Sequence, residues 1–262
     1  MKELGARLAR EAGQLAWSKF KTKQFVAQQK SASGDLVTEV DHAAEKIIVD
    51  GILSAYPDHA VHSEECGLVG TKDARVLWVV DPLDGTNNFA IGIPLFGVGI
   101  SVFIENQLAL SFIYHSPLDQ LYVAEKDKGA TVNGAPLKLS PLNEASKPLT
   151  LGWAQGHVVN NKDEVLRFQI HVQRNVKRLL RFWAPVLNWA LIAEGQIDGM
   201  VVFDNEAEDL YPGILLLQEA GGLVMDFEGK PFSGKRERAS LIGCHPARGD
   251  AILKIVRDFL HS

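Results

Sequence analysis

Two cysteines, Cys66 and Cys244, are all that the 262 residues contain, and they form no C-x-x-C pair. That scarcity excludes a disulfide framework and fits a reducing cytoplasm. The chain also lacks any apolar run of the roughly 18 residues needed to span a bilayer. Its longest apolar run, 91–104, carries Gly and Pro and reads as core strand. The N-terminus leads directly into an amphipathic pattern instead of a signal-peptide core, so a soluble, cytoplasmic protein without a membrane partner is expected. Positive charge is not in excess: the net charge of −5 argues against binding nucleic acid by phosphate neutralisation. The eight histidines are scattered, which leaves no zinc cluster, and neither a Walker-type loop nor a nucleophilic serine elbow occurs. Internal repeats and low-complexity tracts are absent as well.

What is present is an ordinary globular composition, 46% hydrophobic and 23% charged, long enough to bury a sizeable core. Residues 2–22 have helical periodicity, and 27–36 form a polar loop or loosely held hairpin. A second helix runs from about Asp41 to Ala55, with Thr38 or Asp41 as its cap. A short strand at 60–62 leads to Ser63-Glu64-Glu65, and 66–75 reads as a polar loop. From Phe96 to Gly134 the pattern is antiparallel β, closing on an Asn-Gly turn. From about 146 strands and helices alternate to a final helix at 247–260. The expectation is one domain with two lobes, about 1–145 and 146–262, and nothing between 138 and 148 resembles a flexible linker.

The chemistry concentrates in Trp78 to Phe89, W-V-V-D-P-L-D-G-T-N-N-F. An apolar run fit for a buried strand ends at Asp81, Pro82 blocks further ladder pairing, and Asp84-Gly85-Thr86 supplies turn chemistry. Asp81, Asp84 and the carbonyl of Leu83 can share one pocket, while Gly85 and Thr86 offer N–H groups to an anion. Oxygen ligands suit Mg²⁺, and N–H donors suit phosphate. Asp-Gly alone is a common turn dipeptide; the full twelve-residue string is far more specific.

That string resembles the D-P-[LI]-D-G-T-x-N-F signature of the inositol monophosphatase family of Mg²⁺-dependent, Li⁺-sensitive phosphatases. Three further segments are similar to family elements. Asp35-Leu-Val-Thr-Glu-Val-Asp41 matches D-L-V-T-x-x-D, His62-Ser-Glu-Glu65 matches the region of G-E-E with Ser63 for glycine, and Glu208 to Gly222 matches the second signature through Asp209, Gly213, Glu219, Ala220, Gly221 and Gly222. The resemblance implies an α+β fold, a layered α-β-α-β-α sandwich of the inositol monophosphatase/fructose-1,6-bisphosphatase type, often homodimeric. It implies two or three Mg²⁺ ions held by Glu64, Asp81, the Leu83 carbonyl, Asp84 and Asp209. Asp41, Thr86 and Glu64 would act in catalysis by a metal-activated water. Asp84, Gly85, Thr86, Lys30 and Asp209 would meet the phosphate of a small phosphorylated metabolite.

The alcohol half departs from the family. The R-x-x-G-[ST]-A-A run is Arg181-Phe-Trp-Ala-Pro-Val-Leu187, and the glutamate that binds sugar hydroxyls falls on Val202. Glu206 is a possible substitute. Glu208 stands for the usual Trp and Tyr211-Pro212 for two alanines. Trp183 and Tyr211 would either stack on a flat leaving group or, the preferred reading, pack between lobes. Inositol monophosphate, histidinol phosphate, a sugar phosphate or bisphosphate and a nucleotide 3′-phosphate are the candidate substrates. A metal-binding partner protein on the same fold is the alternative outside enzymology.

Overall fold

The structure, a computed structural model, describes residues 1–23, 25–30, 36–141, 148–159 and 162–261. Asp35, the rest of the loop 31–35 and the stretch 142–147 lie outside the described residues. The first lobe of sequence supplies α1 (Lys2–Thr22), β1 (Ala27–Gln29), β2 (Leu36–Thr38), α2 (Glu39–Ala55), β3 (Ala60–Ser63), β4 (Gly67–Gly70), β5 (Val76–Asp84), α3 (Thr86–Ile91), β6 (Gly97–Ile104), β7 (Gln107–His115), β8 (Gln120–Glu125), β9 (Gly129–Val132) and β10 (Ala135–Leu137). The second supplies β11 (Thr150–Gln155), α4 (Asp163–Arg174), β12 (Arg178–Leu180), α5 (Pro185–Ala193), β13 (Gly199–Glu206), α6 (Ala207–Glu219), β14 (Leu223–Met225), β15 (Arg238–Cys244) and α7 (Gly249–Leu260).

These elements stack as α-β-α-β-α. An eight-stranded sheet, β10-β9-β8-β7-β6-β5-β3-β4, is antiparallel except for the β3–β5 pair. A five-stranded mixed sheet runs β12-β11-β13-β15-β14. Helices α1 and α2 cover the outer face of the large sheet, burying Leu8, Ala12, Ile48 and Ile52 against Trp78, Ile100 and Phe112. Helices α5 and α6 fill the space between the sheets around Trp189, Leu216 and Leu241, and α4 and α7 close the outer face of the small sheet around Phe168 and Val256. Each large apolar side chain so buried contributes about 1.5–3 kcal/mol. Covered on both faces, β5 needs no alternation, which is why its sequence is a continuous apolar run.

Four local expectations are corrected. Asp81 does not end its strand: β5 runs through Pro82 to Asp84, with Asp81 opposite Gly99 and Asp84 opposite Gly97. Three steps on one strand against two on the other make a bulge, which tolerates the missing proline N–H. The 66–75 loop contains β4, a short edge strand on β3. The 91–104 run is not continuous strand, because α3 ends at Ile91, Gly92 takes φ 85°, and β6 starts only at Gly97. Thr38, not Asp41, caps α2. Its hydroxyl accepts from Val40 N–H while the Asp41 carboxylate at the third helical position accepts from Thr38 N–H, a reciprocal capping box. The 27–36 segment is a hairpin at its described ends, with Ala27 opposite Thr38.

Candidate active site

The bulge in β5 builds the site. Along a regular strand residues three apart point to opposite faces; the extra residue between Asp81 and Asp84 resets that phase. The carboxylates of Asp81, Asp84 and Asp209 accordingly converge, each offering an oxygen within 4.8 Å of the others. Asp209 arrives from the first turn of α6.

Asp84 is locked by the opposite layer. Helix α5 begins with Ala184 at its cap position, which has no capping side chain, and Pro185, which has no N–H. The unmet N–H groups of Val186 and Leu187 donate to Asp84 Oδ1 and Oδ2, at 3.1 and 3.0 Å. A residue 102 positions away thus caps this helix. The same docking explains Gly85, which takes φ 86° and whose absent Cβ would lie 2.9 Å from the Leu95 carbonyl and 3.3 Å from that of Trp183. Asn88 Nδ2 donates to the carbonyls of Leu95 and Phe182, tying the motif to the loop before α5. Phe89 anchors the other side, its ring centroid 4.6 Å from Phe25 and 5.0 Å from Phe96.

Two other segments meet the cluster. Thr86 Oγ1 lies 2.7 Å from Asp41 Oδ1 and 2.9 Å from the Leu83 carbonyl. Asp41 Oδ2 also accepts from Thr38 Oγ1. On the far wall, Glu64 follows β3, and the turn it belongs to is held by Glu45, whose Oε1 accepts from the N–H groups of Glu65 and Cys66. Glu64 lies outside the three-carboxylate group, at the end of a Lys30 ammonium that donates to Glu64 at 2.8 Å and to Glu65 at 2.7 Å. Lys30, expected against phosphate, is therefore engaged by carboxylates.

Burial dominates the electrostatics. It lifts the Asp84 carboxyl to about 7 despite its two backbone donors. It lifts Glu64 to about 7 although the Lys30 charge pulls the other way and the side chain keeps 36% exposure. Asp81 is raised by burial, then by the charges of Glu64, Asp84 and Asp209, and Asp209 by burial, then by Asp84 and Glu64. Asp41 is raised by burial against the lowering effect of its hydrogen bonds. Carboxylates held this way take either protons or cations. The donor set is all oxygen, which fits hard cations such as Mg²⁺.

The cavity, 270 Å³, is further lined by Gln155, His157, Arg181, Trp183, Asn188 and Glu206, among others. Val202 is fully buried in the core, away from it. Glu206 lines the cavity, with Oε1 paired to Arg238 Nη1 at 2.5 Å. Tyr211 is a packing residue, 1% exposed, with its ring edge-on to Phe103 and its hydroxyl on the Arg236 backbone. Glu45 and Asn188 had no motif to reveal them, whereas Asn88, His62 and Glu208 stand in the matched segments without the contacts found here, among them that of His62 Nδ1 with Glu208 Oε1 at 2.7 Å. Glu45 alone left a trace, lying four residues after Asp41 on the same face of α2.

Comparison with known proteins places these features in context. The model of the inositol monophosphatase family matches residues 1–259. Nus factor SuhB of Escherichia coli K12 is 33% identical over 232 residues, 87% of this chain and 86% of the relative. Among solved structures, an IMPase from Thermotoga maritima superposes with a TM-score of 0.84 at 26% identity, covering 99% of this chain and 97% of the other. The extragenic suppressor protein suhB from Bartonella henselae superposes with a TM-score of 0.86 at 26% identity, covering 97% of both.

Proposed function

The chain belongs to the inositol monophosphatase family, and we propose that it is a Mg²⁺-dependent phosphomonoesterase acting on a small phosphorylated alcohol. The observation that carries this reading is the convergence of Asp81, Asp84 and Asp209. Capping of α5 accounts for Asp84 but not for two further carboxylates, buried Asp81 and half-buried Asp209, beside it, whose mutual repulsion favours a proton or a cation in the pocket. Asp81, the Leu83 carbonyl, Asp84, Asp209 and, on its far side, Glu64 are the residues that would hold Mg²⁺. When bound, the ions would neutralise phosphate charge and lower the pKa of a coordinated water.

The remaining steps fall to the chain's own groups. Gly85 and Thr86 line the cavity, and their N–H groups would be the donors for a phosphate bound there. Thr86 Oγ1 accepts a water's hydrogen bond and, as it takes that proton, passes its own hydroxyl proton to Asp41 Oδ1, 2.7 Å away. Burial raises the pKa of Asp41 above the ordinary carboxylate value, which strengthens it as a base. Lys30 pairs with Glu64 and Glu65 and would compensate the charge of Glu64 where no cation does. The proposal extends to a homodimer in the cytoplasm that is inhibited by Li⁺; no helix among the described residues is long and apolar enough to cross a membrane.

The name Nus factor borne by the E. coli relative favours a second reading, a partner protein on this fold. The net charge of −5 speaks against broad nucleic-acid binding but not against a protein partner or a specific complex. Phosphate release from inositol 1-phosphate, histidinol phosphate, fructose 1,6-bisphosphate and adenosine 3′,5′-bisphosphate, with Mg²⁺, with chelator and with added Li⁺, separates the two. Turnover that needs Mg²⁺ supports the enzyme, whereas Mg²⁺ binding without turnover supports the partner.

A further inference from the structure

We infer that the contact between His62 and Glu208 is a strut that sets the span of the cation site, so that it selects Mg²⁺ over larger divalent cations; this rests on the phosphatase reading of the same site. The side chains assigned to the cation come from separate elements. Asp81 and Asp84 sit at the β5 bulge, and Asp84 is fixed by the N–H groups of Val186 and Leu187. Asp209 enters from the first turn of α6, where the Trp189 indole N–H holds its backbone carbonyl at 3.2 Å. Glu64 stands apart from the three-carboxylate group. Its distance from Asp209 is therefore set by what joins its turn to α6.

The joint is His62 with Glu208. The ladder between β3 and β5 continues past the end of β3, because the Glu64 N–H donates to the Val80 carbonyl at 3.2 Å. Residues two apart on such a strand share a face, so Glu64 projects to the side from which His62 reaches α6. There His62 Nδ1 lies 2.7 Å from Glu208 Oε1, and Glu208 is the neighbour of Asp209 in the first turn of the helix. One contact thus ties the residue two before one ligand to the residue next to another. All four line the same cavity.

Two observations set this contact apart from an ordinary surface pair. The Glu208 side chain is only 9% exposed, whereas the pairs that contribute little are those open to water on both sides. And a carboxylate at this position adds its repulsion to that of Asp209, which a residue needed only for packing would not do. The backbone of the Glu64 turn is held separately, by Glu45 Oε1 accepting from the N–H groups of Glu65 and Cys66. Glu45 shapes the turn, and His62 with Glu208 fixes its separation from α6. Mg²⁺ demands short, near-octahedral coordination, whereas Ca²⁺ accepts longer and less regular contacts. A slack span therefore costs Mg²⁺ more than Ca²⁺. Charge alone predicts the opposite sign, because removing the imidazole leaves Glu208 uncompensated in the pocket and tightens both ions.

Isothermal titration calorimetry of the full chain, stripped of metal and titrated with Mg²⁺ or with Ca²⁺ at pH 8, reads the span without requiring turnover. His62→Leu and Glu208→Leu break the contact from either side, so one serves if the other does not fold. His62→Asn puts an amide N–H where imidazole Nδ1 stands, and Glu208→Gln keeps an acceptor oxygen, so both retain it. His62→Leu should weaken Mg²⁺ about tenfold, the scale on which residues behind metal ligands act. The ratio of Mg²⁺ to Ca²⁺ affinity should fall about fivefold or more in the two contact-breaking variants and stay within about twofold of the parent in the two that keep it. A ratio that the contact-breaking variants leave unchanged would overturn the inference. So would a ratio that falls equally in the contact-keeping variants, or a His62→Leu protein that binds both ions more tightly. If the parent binds Mg²⁺ and hydrolyses a phosphoester while every variant keeps its ratio, the strut fails and the phosphatase reading stands. If the ratio shifts as expected but no ester is hydrolysed, the strut stands and that reading fails. A parent that binds no Mg²⁺ sinks both.

Discussion

Thr86 Oγ1 and Asp41 Oδ1 lie 2.7 Å apart although 45 residues separate them, one at the start of α3 and the other in the first turn of α2. The capping box that starts α2 also orients Asp41, with Thr38 holding one carboxylate oxygen and Thr86 meeting the other. A structural motif and a proposed catalytic pair thus share one side chain. Thr86→Ala and Asp41→Asn should each lower kcat by about 10²–10⁴ with little change in KM. Because they serve one proton transfer, the double variant should lose little more than the worse single one. Full additivity, read from steady-state kinetics of the three proteins, would mean the two act separately.

The raised carboxylate pKa values have a signed consequence for stability. Asp84 and Glu64 titrate near 7 in the folded chain and near 4 when unfolded, so between those values the folded state holds the extra protons. Stability of the metal-free protein should be greatest below about pH 4 as far as these groups decide it, and should fall as pH rises to about 7. Thermal unfolding in chelator across this range measures the slope. Mg²⁺ should raise Tm more at pH 8 than at pH 5, because at pH 5 it must displace protons.

Asp209→Asn tests whether repulsion is the reason for that slope. Among the described residues the Asp209 side chain has no hydrogen bond to lose, and one half-buried charge would go. The variant should be more stable than the parent in chelator at pH 8, by about 1 kcal/mol or more, and should lose most of its response to Mg²⁺. Calorimetry with and without the metal reads both. A variant that is less stable in chelator would assign Asp209 a structural role.

The family's second signature keeps Gly213 for a packing reason. A Cβ there would fall 1.8 Å from Trp189 Cγ, and Trp189 in turn fills the space over Gly243 and donates its indole N–H to the Asp209 carbonyl. Gly213→Ala should destabilise by about 1–3 kcal/mol through overpacking, and should weaken Mg²⁺ binding by shifting the start of α6. Denaturant melts together with a Mg²⁺ titration check the two effects.

Much of this was legible in the sequence. The apolar strand leading to Asp81 and the helix at 2–22 followed from apolar periodicity, which the layered fold uses directly, whereas the turn read after Asp81 did not hold, since the strand runs on to Asp84. Asp81 and Asp84 were visible as a pair, but not the bulge that brings them to one side, because bulges depend on the register with β6. The edge strand β4 was hidden by its exposed, glycine-flanked sequence, which looks like a loop until β3 is placed beside it. Asp84 as the cap of α5, and Glu45 as the support of the Glu64 turn, are contacts between distant segments that no local pattern encodes. Val202 was visible as an apolar residue where the resemblance places a glutamate, but not that it lies in the core away from the cavity.

The most direct test of the central claim is initial-rate phosphate release as a function of Mg²⁺ concentration, for the parent chain and for Asp84→Asn with its folding verified by circular dichroism. The account predicts saturable activation by Mg²⁺, no release in chelator and a loss of at least about 10³-fold in the variant. Release that persists in chelator, or that Asp84→Asn leaves intact, would contradict it.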